Sequence, residues 1–358
     1  MSKKYIVGLI ILLLLILSPR IYWQFKEKVV LDILVVDKTV PNTQYREHNG
    51  LFWFLTNEKI VKLNGELYDV GIDYYGYDPY EGKAMDTYVY EEKKDVIYIA
   101  DTYGVYSDDL ETVVEGDRSE KIYGGMDLLE WNAIWQSKGS NTTLIAEYNS
   151  FASPTDEQTR KVMGENLSVE WSGWSGRYFS DFNNDEVPPW LIANYEAQYN
   201  KKWDFEQGGL AFTHTSDQII VIDEAEITSP VLFQMTADGA GAYPNVLETE
   251  YSYWFDIVKP LNNAQVLAQY KLSLSDNAEN ELAVAGIPTV IPAVTHHDQN
   301  NTLYFSGDFA DYTRGNLKKW QGSARAMRLF TNDESDFFWG SYIPLMEQIF
   351  TDIKNNMR

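Results

Sequence analysis

VIYIADTYGVYSDD, residues 96–109, is the stretch on which the reading of the fold turns. An apolar, β-prone run from Val96 to Ala100 stops abruptly at Asp101-Thr102-Tyr103-Gly104. Such a run, bounded by turn residues, fits a strand buried on both faces, as in a parallel sheet. Working outward, VVLDILVVDKT reads as a similar strand ending at Asp37, and NTTLIAEYNSF as another ending at Glu147. Helical periodicity separates them. In PNTQYREHNGLFWFLTNEKIVKL, Leu51, Phe52, Leu55 and Ile60 share a face, with Asn42 or Thr43 as cap. A second helix runs through Met126, Leu129 and Ile134, and SPTDEQTRKVMGEN opens a third with an N-cap serine and a proline behind it. LSVEWSG is again strand-like, and VPPWLIANYEAQYNKKW is helical.

Strand–helix alternation over the first 200 or so residues predicts an α/β fold: a doubly wound, mainly parallel sheet built from right-handed crossovers. The second half differs, with strand-like runs separated by Asn, Gly and Asp turns until SYIPLMEQIFTDIKNN closes the chain as a helix. The expected organisation is therefore a transmembrane segment and stalk (residues 1–28), an α/β core (29–223) and a β-rich C-terminal elaboration (224–358). The final strand and helix of that elaboration are expected to return to the core.

The transmembrane segment is read from MSKKYIVGLIILLLLILSPRIYWQF, where two lysines precede an unbroken apolar run from Tyr5 to Leu17. No small-residue cleavage site follows, so an uncleaved signal-anchor is expected, with Tyr22 and Trp23 at the membrane interface. A single-pass protein of the cell membrane with an extracytoplasmic body follows from that reading.

Composition narrows the function classes. Of 358 residues, Lys plus Arg number 29 against 53 Asp plus Glu, a net charge of −24. That charge repels phosphate backbones, so nucleic acid is not expected as a partner. With no cysteine there is no disulfide framework, thiolate metal site or cysteine nucleophile. The many Asp and Asn residues show no EF-hand spacing, and only four histidines occur. Neither a metal nor a cofactor is expected. Aromatic residues reach 15%, including 11 Trp and 25 Tyr. Rings that stack on a pyranose and carboxylates that take its hydroxyls make a glycan the partner class best suited to this composition.

A doubly wound core with a late strand of the LYFSGDFADY kind resembles the class I glutamine amidotransferase-like superfold. Its non-catalytic, carbohydrate-associated branch includes the trimerisation domain of some β-galactosidases. The resemblance is architectural and covers residues 29 to 223 plus the C-terminal segment. The superfamily's amidotransferases use a cysteine on a strand-to-helix elbow with a histidine and a glutamate. This chain has no cysteine, so the resemblance implies that this activity is lost or replaced.

Ligands of open parallel sheets bind beyond the carboxyl ends of the strands. Asp37, Asp101 and Glu147 fall at such ends, and Asp308 and Asp311 in SGDFADY join them as candidates. Thr102 and Tyr103 extend the polar reach of Asp101. In WSGWSGRYFSDF, Trp174, Arg177 and Tyr178 form a Gly-spaced aromatic loop, with Arg177 expected to face Asp101 directly or across a ligand. Arg46, Glu47 and His48 are a weaker case at the same edge. YYGYDPYEG reads as an aromatic loop over the cleft. Each acid has a bland alternative, since carboxylates commonly cap helices and bond loop amides. The function expected is glycan binding or glycan assembly as an accessory to polysaccharide machinery. A carboxylate-dependent glycoside hydrolase or lyase is the alternative, because paired carboxyls are what glycoside cleavage requires. An interaction scaffold is a third possibility.

Overall fold

The computed structural model describes residues 3–85, 92–110, 119–262, 264–312, 321–329 and 336–357. Strands in this chain are buried according to where they stand in two sheets. The larger, of ten strands, contains β2 (Ile33–Asp37), β4 (Tyr75–Asp78), β5 (Lys83–Ala84), β6 (Lys94–Asp101) and β9 (Lys138–Ala146). It continues through β13 (Ile227–Met235), β14 (Thr249–Glu250), β16 (Gln265–Leu274), β17 (Val290–His297) and β18 (Thr302–Phe305). Their order across the sheet is β14-β13-β16-β17-β18-β9-β6-β2-β4-β5. The smaller sheet is antiparallel, with β12 (Ile219–Asp223), β11 (Gly209–His214), β10 (Val169–Phe179) and β15 (Phe255–Pro260) in that order. Two short ribbons pair β1 (Val29–Val30) with β3 (Ile60–Val61), and β7 (Val105–Tyr106) with β8 (Lys121–Tyr123).

The main helices are α1 (Lys3–Phe25), α2 (Arg46–Glu58), α4 (Leu128–Gln136), α5 (Glu157–Leu167), α6 (Pro189–Tyr199), α8 (Asp276–Val284) and α10 (Ile343–Asn356). Shorter ones are α3 (Ser107–Leu110), α7 (Ala237–Ala242) and α9 (Ala324–Leu329), and a π-helical turn, Phe338–Tyr342, leads into α10. Asp127 caps α4 and Asp156 caps α5, each carboxylate accepting an amide of the first turn. The cap of α5 is thus Asp156 and not the earlier serine. The helix α2 starts after Tyr45, with neither Asn42 nor Thr43 as its cap.

Strands β2, β6 and β9 are covered on both faces. Ile33, Val35, Val96, Tyr98 and Ile145 join a core cluster with residues of α2 and α10 such as Leu51, Leu55, Leu345 and Ile349. The alternating residues Leu34, Val36, Ile97, Ile99 and Leu144 join a second cluster with Trp131 and Ile134 of α4 and Met163 and Leu167 of α5. Burial of alternate residues on opposite faces is why these strands read as unbroken apolar runs.

The expected doubly wound, mainly parallel sheet is corrected: the fold is mixed α/β around a mixed sheet. Among the described residues, β4, β2, β6, β9 and β18 are joined by four parallel pairings, whereas the five other pairings of the large sheet are antiparallel. Strand β18 is the joint, parallel to β9 on one side and antiparallel to β17 on the other. The turn between β17 and β18 is too short for a crossover, so these strands must run antiparallel. The segment LSVEWSG, read as one more core strand, is part of β10 in the smaller sheet. Asp256 fastens the two sheets, accepting from Ser175 Oγ of β10 and Tyr304 of β18, both at 2.7 Å.

The transmembrane expectation is also corrected: no helix among the described residues is long and apolar enough to cross a membrane. The uninterrupted apolar stretch of α1, Tyr5 to Leu17, rises about 20 Å, against a hydrocarbon core of about 30 Å. Ser18, Pro19 and Arg20 then interrupt it within the helix. Of the expected interfacial residues, Trp23 is docked on protein instead, while Tyr22 is exposed. Trp23 Nε1 donates to Thr56 O at 3.1 Å, and Lys59 lies 4.9 Å above the Trp23 ring. The single-pass membrane placement does not stand.

Candidate functional site

The opening stretch ends as it does because Asp101 closes its own turn. Its Oδ1 accepts from the Tyr103 amide and from Thr39 Oγ1, both at 2.5 Å, and Oδ2 meets Asn149 Nδ2 at 3.4 Å. Thr39 Oγ1 in turn accepts from the Gly104 amide at 2.8 Å. Gly104 takes φ +111°, and a Cβ there would strike the backbone of Tyr123 and Gly124. Thr102 is buried, and its hydroxyl donates to Ser150 O at 2.9 Å. Asp101 nevertheless lines a cleft of about 750 Å³ beyond the strand ends.

Parallel register places Asp37, Asp101 and Glu147 at the ends of three neighbouring strands, and each meets a different environment. Asp37 is fully buried and spent on structure, with Oδ2 against His48 Nδ1 at 2.5 Å and Oδ1 accepting from the Thr39 amide. His48 Nε2 donates to Val70 O at 2.9 Å, so both ring nitrogens are engaged in buried hydrogen bonds. Glu147 is also fully buried. Its Oε2 accepts from the amides of Phe309 (3.1 Å) and Ala310 (3.0 Å), and Oε1 bonds the Tyr98 hydroxyl. Glu147 therefore holds the turn after β18 against β9, and that turn carries Asp308 and Asp311. The same turn is bonded to α2, where the Gly50 amide donates to Ala310 O at 2.9 Å.

These anchors bring Glu47, at the start of α2, beside Asp308 and Asp311. One carboxylate oxygen from each lies within 4.8 Å of the others. Arg46 supplies countercharge, with Nη2 2.9 Å from Asp311 Oδ2 and Nε 3.3 Å from Glu47 Oε1. Burial pushes Glu47 and Asp308 well above the usual carboxyl range, and neighbouring acids push them further. Burial raises Asp311 to about 6, against the lowering effect of Arg46. Asp101 rises to about 7, first through burial and then through the charge of Asp37. Glu147 rises to about 8 through burial. Carboxyls that hold protons near neutrality can donate hydrogen bonds or protons to a ligand as well as accept them.

The cleft walls are aromatic: Tyr103, Tyr106, Tyr148, Trp171, Trp190 and Trp254 line it, with Arg46, Glu47, Asp101 and Asp308 at its acidic side. Tyr103 and Tyr106 lie 4.7 Å apart between centroids, and Tyr103 is 36% exposed.

The expected aromatic loop is displaced in role. WSGWSGRYF is strand β10, with an irregularity between Trp171 and Ser175 and with Gly173 at φ +91°. That irregularity turns Trp171 towards the cleft and leaves Trp174 in the core, its ring 4.8 Å from His214. Arg177 does not line the cleft; it pairs with Glu186 and lies over the Phe179 ring. Tyr178 donates to Glu224 Oε2 at 2.9 Å. The segment read as a loop over the cleft, YYGYDPYEG, contains strand β4, paired between β2 and β5, and lies outside the lining. Of the residues singled out from sequence, Asp101, Tyr103 and Asp308 line the cleft, together with Arg46 and Glu47 from the weaker case. Asp311 stands just behind them. Trp171, Trp190, Trp254 and Tyr148 were missed, and strand alternation with one bulge was the signal hidden in WSGWSG.

Compared with protein-family models and with curated proteins, the chain matches none.

Proposed function

We propose that this cleft binds a glycan and that the protein serves polysaccharide binding or assembly. The observation that carries the reading is the pairing of aromatic walls with a floor of buried carboxyls in a cleft of about 750 Å³. Rings such as Tyr103 and Trp171 offer flat apolar faces to a pyranose, while Asp101 and Asp308 offer hydrogen-bonding oxygens. The volume suits an oligosaccharide of a few units. An amidotransferase-like superfold without its cysteine is the ancestry this reading assumes.

Calorimetric titration of the full chain with neutral, acidic and amino oligosaccharides tests it. At least one class is expected to bind. Tyr103→Ala and Asp101→Asn are expected to weaken that binding about tenfold or more while leaving cooperative unfolding intact. Failure of every glycan class to bind refutes it.

One observation favours a second reading, carboxyl-dependent glycoside cleavage: Asp101 and Asp308 line the same cleft with protons retained near neutrality. Release of new reducing ends from a bound oligosaccharide, abolished in Asp308→Asn, distinguishes cleavage from binding alone.

A further inference from the structure

The geometry points to a calcium-sized divalent cation bound by Glu47, Asp308 and Asp311. The three carboxylates come from two distant parts of the chain, the first turn of α2 and the turn after β18. Asp308 is 7% exposed and Asp311 6%, while the Glu47 side chain is 11% exposed. Asp311 gives Oδ2 to Arg46. Its other oxygen, Oδ1, is fully covered and has no hydrogen-bond partner among the described residues. A buried acceptor left over in this way is costly unless something fills its open valence.

Charge and size select the occupant. Once ionised, the three carboxylates outweigh the guanidinium of Arg46, and a divalent cation offsets the excess as it displaces the protons they otherwise hold. All-oxygen donors favour hard cations over zinc or copper. Calcium binds oxygen at about 2.3–2.6 Å, so ligands on opposite sides of it stand about 4.6–5.2 Å apart. The three oxygens, all within 4.8 Å of one another, are close enough to share one such ion. Magnesium, which keeps several waters and usually takes one or two carboxylates, suits a set of three less well. Because Glu47 and Asp308 line the cleft, the ion has an entry path, and water from the cleft can fill its remaining positions. The sequence marked all three residues as candidates but not as ligands of one ion, since they follow no loop spacing.

The test uses the full chain without any glycan, so its outcome is separate from that of the glycan reading. Chelator-stripped protein is titrated with calcium chloride by calorimetry and melted with and without the ion. In parallel, terbium luminescence sensitised by the cleft aromatics is competed with calcium and with magnesium. A dissociation constant below about 1 mM, a raised melting temperature and preferential displacement of terbium by calcium are expected. Asp308→Asn and Glu47→Gln, which keep side-chain shape, should each weaken calcium binding tenfold or more. Asp185→Asn, on an exposed loop, should not. Absence of calcium binding in the native chain overturns the assignment, as does undiminished binding in both folded variants. If neither variant folds, the native titration and the terbium competition decide.

Discussion

Replacing Glu147 with glutamine should leave the protein intact at neutral pH and remove this residue's own share of the stability lost as pH rises. Glu147 is completely buried, with its carboxyl raised from 4.5 to about 8 by burial. The folded state therefore holds this proton across a range in which the unfolded chain has lost it. Stability from this group is fully present below about pH 4.5 and falls away as pH rises towards 8. At about 1.4 kcal/mol per pH unit, that difference is worth on the order of 4–5 kcal/mol as an upper bound. Glutamine mimics the protonated acid. Its oxygen can accept from the amides of Phe309 and Ala310, and its NH₂ can donate to the Tyr98 oxygen, leaving the Tyr98 proton for Tyr342 at 3.0 Å. Alanine at this position strands two buried amides and a hydroxyl, at a cost of about 2–5 kcal/mol. Urea unfolding of the native chain, Glu147→Gln and Glu147→Ala at pH 5, 6.5 and 8 measures both effects. The native chain should lose stability relative to Glu147→Gln as pH rises, and the alanine variant should be the weakest of the three at pH 5. A native–glutamine difference that is flat across this range, or glutamine as damaging as alanine, refutes a protonated Glu147.

Asp37→Asn disturbs the buried hydrogen bond between Asp37 and His48 and should cost about 1–3 kcal/mol by chemical denaturation, an unchanged stability being incompatible with the pair described. At Gly50→Ala the new Cβ would stand 2.7 Å from Ala310 O and 2.8 Å from a ring carbon of Phe338, so a loss of about 1–3 kcal/mol is expected, together with weaker ligand binding at the adjacent turn. Asp256→Ala should lower stability by about 2–4 kcal/mol, because Ser175 and Tyr304 lose a shared buried acceptor between the two sheets; a melting temperature unchanged within error would count against that junction.

The sequence by itself determined the local elements around the cleft. Runs such as ILVVD and VIYIAD are apolar at every position before the closing aspartate because helices cover both faces of β2 and β6, and that burial can be read without a partner. The same logic placed Asp37, Asp101 and Glu147 at one sheet edge, since neighbouring parallel strands end together. Tertiary structure alone decided which of those acids faces solvent. Asp37 is consumed by His48 and Glu147 by two amides, whereas Asp101 keeps an aspect on the cleft. It also decided which sheet each strand joins. Period-two alternation fixes which face is buried but not the neighbour, so β10 and the strands after residue 223 could not be assigned. Nor was the convergence of Glu47, Asp308 and Asp311 legible, because like charges repel and no local pattern favours bringing them together. Their proximity is imposed from outside the cluster, by the bonds from Glu147 to the Phe309 and Ala310 amides and from Gly50 to Ala310, which hold the turn after β18 against the start of α2.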